Sequence, residues 1–185
     1  EFNVEALKND PTIKGIWWVP KYSNPDGITY SDDVVRRFAR LKPAAKDFRI
    51  FWDDAYIVHD LYPDKKDRLL SLFREMHIAG NPNIAYIFCS TSKISFPGSG
   101  VSVVAASDSN IAYTKSIMTV QTIGCDKLNM LRHVRFFRSA EGIKRHMKHH
   151  ADLIRPKFDV ILSIFEKELE PCKIAKWTKP LGGYF

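Results

Sequence analysis

Three short apolar runs, each ending in a polar cluster, set the first limit on how this chain can fold. Ile16-Trp17-Trp18-Val19 leads into Tyr22-Ser23-Asn24-Pro25-Asp26-Gly27, and Phe48-Arg49-Ile50-Phe51-Trp52 leads into Asp53-Asp54-Ala55-Tyr56. Ile84-Ala85-Tyr86-Ile87-Phe88-Cys89 likewise leads into Ser90-Thr91-Ser92-Lys93. Short runs of this kind, bounded by turn signals, read as buried strands. Amphipathic segments lie between them. Ser31 is placed to cap a helix with Asp32 and Asp33 in its first turn and Val34, Val35, Phe38 and Leu41 as its apolar stripe. After Pro63-Asp64, a second helix carries Leu69, Leu72, Phe73 and Met76 and closes at Gly80. This order predicts an α/β fold: a mainly parallel sheet flanked by helices, with right-handed crossovers. A fourth run, Val101-Ser102-Val103-Val104-Ala105-Ala106, follows a loop with no helical pattern and is free to return antiparallel. Trp17, Trp18 and Phe51 read as core residues of buried strands.

The second half has a different rhythm. Residues 108–121 and 126–137 read as helices, and Ser139 caps a long one running through His150. Pro156 is expected to kink or restart that helix, because it lacks an amide hydrogen and crowds the preceding turn. Phe158, Ile161, Leu162, Phe165 and Leu169 continue an apolar face to Pro171. Residues 1–150 therefore read as part of a large sheet domain, and 151–185 as a connecting helix and the start of a small C-terminal domain. Ile174-Ala175-Lys176-Trp177 is the candidate first strand of that second unit, with residues 180–185 as its turn and return.

Composition excludes several classes. Of 185 residues, 45% are hydrophobic and 12% aromatic, which suits a folded core rather than a disordered chain. No apolar run approaches the ~20 residues that span a bilayer, and no signal-peptide pattern opens the chain. Cys89, Cys125 and Cys172 are widely spaced and form no CxxC pair, as expected in a reducing compartment such as the cytoplasm. The net charge of +7 is concentrated in the helical stretch 127–157. A solvated helix face explains it, and without a basic-aromatic strand motif it does not point to nucleic acid. His146, His149 and His150 have the spacing at which two imidazoles can share a metal, but no third ligand is evident and their neighbours are basic. A solvated face is the simpler reading.

If the strands are parallel, Asn24, Asp53, Tyr56 and Lys93 converge on the carboxyl edge of the sheet, where open α/β folds bind ligands. The order of these residues resembles the fold-type I pyridoxal-phosphate enzymes of the class I/II aminotransferases. The resemblance rests on Asn24-Pro25-x-Gly27, Asp53-x-Ala55-Tyr56 and Ser90-x-Ser92-Lys93. Val19-Pro20-Lys21-Tyr22-Ser23-Asn24-Pro25, Trp52-Asp53-Asp54-Ala55-Tyr56 and Gln121-Thr122-Ile123-Gly124-Cys125-Asp126-Lys127-Leu128-Asn129 look like the bacterial aspartate-aminotransferase, or MocR-like, branch. Any one motif is an ordinary turn or cap sequence; three in order at successive strand ends are not.

The resemblance implies the cofactor pyridoxal 5'-phosphate and a role for each residue. Lys93 would hold the cofactor aldehyde as a Schiff base and, once freed, move the substrate's α-proton. Asp53 would keep the pyridine nitrogen protonated, with Asp54 outside that contact. Asn24 and Tyr56 would hydrogen-bond the phenolic oxygen, while Ser90, Ser92 and the Gly98–Gly100 turn would approach the phosphate. The implied reaction moves an amino group from aspartate or a similar amino acid to a 2-oxo acid. The implied assembly is a homodimer with residues 121–138 near the partner, and Arg132, Arg135 and Arg138 are candidates for an acidic substrate or the other subunit.

The segment 93–101 departs from the pattern, because it holds no arginine to grip the phosphate. The family's first strands, its phosphate loop and the ring-stacking aromatic are expected before residue 1, and the arginine for the substrate α-carboxylate beyond Phe185. The segment alone is then expected to be inactive. A second class stays open: the aminotransferase-like effector domain of a transcription regulator.

Overall fold

The computed structural model describes residues 4–185. Strands β1 (Gly15–Trp18), β2 (Arg49–Asp53), β3 (Ala85–Ser90) and β4 (Ser102–Ala106) form a 4-stranded sheet in that order. β1, β2 and β3 are parallel and β4 returns antiparallel to β3, so the expected α/β architecture is present. The helices are α1 (Val4–Asn9), α2 (Asp32–Ala39), α3 (Leu72–Ile78), α4 (Asp108–Gln121), α5 (Lys127–Phe137) and α6 (Ala140–Ile164), with a π-helical turn at Phe165–Leu169. No helix among the described residues is long and apolar enough to cross a membrane.

The core forms where α2 and α3 cover one face of the sheet. Ser31 caps α2 by accepting the Val34 amide at 3.4 Å, which leaves Val35 and Phe38 facing inward. They meet Ile50 and Trp52 of β2, Ala85 of β3, and Leu72 and Met76 of α3. Trp52 lies edge-on to Tyr30 and Phe38, with ring centroids 6.0 and 6.1 Å apart. α3 starts later than its apolar pattern suggests: Ser71 caps it, and Leu69 packs on the core from the preceding loop. Gly80 follows with φ +65°, the left-handed residue that stops the helix.

The opposite face corrects the reading of the aromatics. Strand side chains alternate between faces, so Phe51 points away from Ile50 and Trp52. Trp17 is 59% exposed and stacks on Phe51 at 5.5 Å and Phe88 at 5.7 Å, forming an aromatic layer on the surface rather than in the core. Trp18 is partly buried against Tyr30 and Phe38 on the helix-covered side.

Two further expectations do not hold. α6 does not restart at Pro156 but continues through it, with anchoring contacts on both sides. Arg155 Nη1 donates to the Leu61 carbonyl at 3.1 Å, and the Tyr62 hydroxyl donates to Asp159 at 2.6 Å. Residues 174–177 form no strand. The segment 180–185 instead lies against the loops that follow β1 and β2. Leu61 donates its amide to Leu181 O at 3.0 Å, Gly183 donates to His59 O at 2.9 Å, and Asp60 bridges Gly182. Gly182 abuts the Tyr22 ring so closely that a Cβ there would collide with it.

The two faces predict a contrast. Trp52→Ala should cost about 3–5 kcal/mol, and Trp17→Ala about 1 kcal/mol or less, in urea unfolding followed by circular dichroism. Equal losses would show that the outer aromatic layer is as buried as the inner one.

Candidate active site

β1, β2 and β3 deliver their following loops to one edge, and those loops carry the polar residues singled out by sequence. Asn24 lies in the exposed turn after β1, with its side chain near the Tyr56 hydroxyl. Tyr56 is buried in the loop after β2. Burial pushes its hydroxyl above the usual phenol range; the nearby Asp53 charge adds to this and the Asn24 side chain opposes it. Asp53 is the last residue of β2, and its Oδ2 accepts the Trp17 indole N–H at 3.3 Å. Asn24, Asp53 and Tyr56 therefore form one group. Lys93 lies on the exposed turn after β3, and its ammonium makes no hydrogen bond or ion pair with the described residues.

Neighbouring Asp53 and Asp54 are divided by strand alternation. Asp54 turns inward, and burial raises its carboxyl to about 6, with a second push from the Asp53 charge. One of its oxygens, Oδ1, is buried without a partner among the described residues. Asp53 stays at the accessible edge, so it is the carboxylate that can meet a ligand.

The turn itself has a tight frame. Ile94 and Ser95 donate their amides to Thr91 O at 2.9 and 2.7 Å, and Thr91 pairs with Val101 across the loop at 3.0 Å. Thr91 Oγ1 accepts the Val101 amide at 2.9 Å, and it lies 2.9 Å from His133 Nε2, as Ser95 Oγ does at 2.6 Å. Ser90 Oγ accepts the Ser92 amide at 3.3 Å. Ser92 is thus the hydroxyl of this turn that no internal bond occupies. A Cβ on Gly100 would come within 2.6 Å of Ser92 Oγ and 3.1 Å of its amide. The glycine keeps a small cradle open beside Ser92, which fits a phosphate approached by backbone and hydroxyl. Arg132 and Arg135 line a hollow of about 540 Å³ with Ser95 and Ser99, and Arg138 stands outside it.

Sequence reasoning missed much of the support. Lys21 is buried: its ammonium donates to Asp60 at 2.8 Å and to Ile57 O at 3.1 Å, and lies 4.7 Å from the Tyr22 ring centroid. Tyr22 donates to the same Asp60 oxygen at 2.7 Å. His59, buried between Tyr56 and Tyr184, reaches Lys93 O at 3.0 Å. His146, read as a solvated residue, instead reaches Ile94 O at 2.7 Å, and its neighbour His150 stacks beside it at 4.6 Å. His149 remains exposed. Only the proximity of Lys21 to Asn24 in one motif hinted at any of this.

A mainly parallel sheet thus carries a lysine turn, a carboxylate and a buried phenol at its carboxyl edge, as the resemblance to the aminotransferases implies. Comparison agrees. Residues 3–185 match the family model described as "Aspartate amino-transferase", and the chain belongs to that family. It is 50% identical over 181 residues to a Mycolicibacterium smegmatis protein with an aminotransferase name, and 41% identical over 182 residues to the aspartate aminotransferase of Corynebacterium glutamicum. Each alignment covers 98% of this chain and 42% of the relative, so the chain spans less than half the length of these relatives. A solved aspartate transaminase from Corynebacterium glutamicum superposes with a TM-score of 0.91 at 40% identity, covering 97% of this chain and 42% of that one. The fold extends to a Thermus thermophilus α-aminoadipate aminotransferase complexed with N-(5'-phosphopyridoxyl)-L-leucine, with a TM-score of 0.69 at 22% identity, covering 90% of this chain and 41% of that one.

The inward turn of Asp54 has a pH signature. Its folded-state carboxyl lies near 6, above the ordinary aspartate value of 3.8, so the folded chain binds more protons than the unfolded one in this window. Stability from this group is present at the acid end and lost as pH rises from about 4 to about 6. Asp54→Asn should remove about 2–3 kcal/mol of that pH dependence, measured as urea midpoints across the window. An unchanged slope would place the carboxylate in water.

Proposed function

We propose that the protein carrying this chain is a pyridoxal-phosphate-dependent aminotransferase, moving an amino group from aspartate or a similar amino acid to a 2-oxo acid. The observation that carries this reading is the grouping of Asn24, Asp53 and Tyr56 at the strand ends beside the Lys93 turn, in a chain of the aspartate aminotransferase family. When bound, the cofactor supplies an aldehyde and an electron-withdrawing ring. Lys93 has the free amine to hold that aldehyde and afterwards to carry the substrate's α-proton. Asp53 offers a carboxylate to the pyridine nitrogen and keeps it protonated. Asn24 and Tyr56, neighbours at this edge, are the donors for the phenolic oxygen. Ser90 and Ser92 stand beside the Gly100 cradle for the phosphate, with Ser92 the better placed because its hydroxyl is not spent internally.

Lys93→Ala tests the assignment directly. In the longest natural chain containing these residues, added pyridoxal phosphate should give a lysine-dependent absorbance band that the variant lacks. A band that survives the substitution, or no band in the unaltered chain, overturns the reading.

The same reading includes a homodimer with residues 121–138 at the contact. α5 supports it by exposing Leu128, Leu131 and Val134, apolar residues that a partner would cover. Light scattering should give twice the chain mass, and Leu131→Asp with Val134→Asp should shift it toward the monomer. A monomeric parent chain would remove the dimer from the proposal.

A further inference from the structure

We propose that His59 and Tyr184 are positioning residues for Lys93, a role that rests on the cofactor reading above. The turn 91–95 is closed by bonds into Thr91 O, which leaves the carbonyls of Lys93 and Ile94 without backbone partners. Side chains from distant segments take their place. His59 Nε2 and the Tyr184 hydroxyl both lie 3.0 Å from Lys93 O, and His146 Nε2 lies 2.7 Å from Ile94 O. The carbonyls accept and the side chains donate, so each imidazole presents Nε2–H to the turn.

The convergence matters because the lysine amine is free. A four-carbon stem offers many rotamers, and only its Cα can be fixed by the protein before a ligand arrives. Here the Cα is held through its own carbonyl by two donors. His59 is 4% exposed and cannot swing away, and its ring meets Tyr56 at 5.6 Å and Tyr184 at 5.2 Å. Tyr184 is also edge-on to Tyr56 at 6.0 Å. The phenol assigned to the cofactor oxygen and the backbone of the assigned nucleophile are thus parts of one aromatic cluster. Its packing sets the distance between Tyr56 and the root of the Lys93 side chain. Burial keeps His59 below the ordinary imidazole range, which favours the neutral ring that a single N–H donor requires. Tyr184 comes from the C-terminal segment bound at Gly183 and Leu181, so the strap across the site loops is what delivers the second donor.

Placement errors near 1 Å at a reacting group cost on the order of a hundredfold in rate, which sets the scale of the expected effect. Four variants test the clamp in the longest natural chain containing these residues: Tyr184→Phe, His59→Gln, His59→Leu and Tyr184→Phe combined with His59→Gln. Phe keeps the ring and removes the donor; Gln can place an amide N–H near the imidazole Nε2, and Leu cannot. In the cofactor-free chain, Tyr184→Phe should speed amide hydrogen exchange at Ile94 and Ser95 several-fold while the thermal midpoint holds. With pyridoxal phosphate bound, kcat should fall about tenfold in Tyr184→Phe and further in His59→Leu, with KM within about twofold. His59→Gln should recover most of the His59→Leu loss. Wild-type exchange and kcat in Tyr184→Phe, or no difference between Gln and Leu at 59, would overturn the clamp. Borohydride reduction followed by peptide mass separates the two proposals. Pyridoxal phosphate fixed on Lys93 with unaltered variants removes the clamp alone, whereas no attachment to Lys93 in the wild-type chain removes the cofactor reading and the clamp with it.

Discussion

The amide of Asp54 donates to Phe88 O at 2.8 Å, the last rung of the β2–β3 ladder before both strands turn into the site loops. Everything at the edge depends on that register. It pairs Asp53 with Phe88 and sends Asp53 to the same face as Trp17 and Phe51, while Asp54 turns toward the interior. A slip by one residue would exchange the two carboxylates, because side chains alternate with a period of two. Asp54 would then be presented at the edge and Asp53 buried. The raised carboxyl of Asp54 records what the inward position costs a charge, and Asp53 is spared that cost by a register the hydrophobic face enforces. Ile50 and Trp52, fully buried between α2, α3 and the sheet, make any other register expensive.

Much of this was legible before any coordinates. Strand-like runs separated by amphipathic ones implied a parallel sheet, and the helix-free loop before β4 left it free to return antiparallel, as it does. The gathering of Asn24, Asp53, Tyr56 and Lys93 at one edge was legible because their order at strand ends carries it. The contacts of His59, Tyr184 and His146 were not, since they exist only where segments far apart in sequence meet a single turn. A histidine on a basic helix reads as solvated, and nothing local distinguishes His146, which faces Ile94 O, from His149, which faces water. Trp17 misled for another reason. An apolar run tells how hydrophobic a strand is but not whether both of its faces are covered. The helix does not restart at Pro156, where Arg155 and Asp159 anchor it on either side.

The bare aromatic layer has its own physical meaning. Trp17, Phe51 and Phe88 stack in a row, and Tyr113, Ile117 and Met118 of α4 also expose apolar surface. A continuous face of this kind in a folded protein is normally covered by more protein. That is consistent with a chain that spans 42% of the length of its relatives. The site residues lie at the rim of this face, Asp53 being hydrogen-bonded to Trp17 itself. Whatever covers the layer therefore also closes one side of the site.

Two lysines stand near the site, and their surroundings separate their roles. Lys21 is buried, with its donors committed to Asp60 and the Ile57 carbonyl and its charge resting over Tyr22. Removing that ammonium would leave Asp60 and a carbonyl short of a donor inside the protein, which makes Lys21 a structural tie between the first two site loops. Its nitrogen has no freedom to attack anything. Lys93 has the reverse arrangement: the side chain is free and the backbone is tied. A nucleophilic amine must leave its resting partners, form a bond and later carry a proton, so it needs a fixed root and an uncommitted tip. Burial would have pointed to Lys21 as the important lysine. The distribution of hydrogen bonds between main chain and side chain points to Lys93 instead.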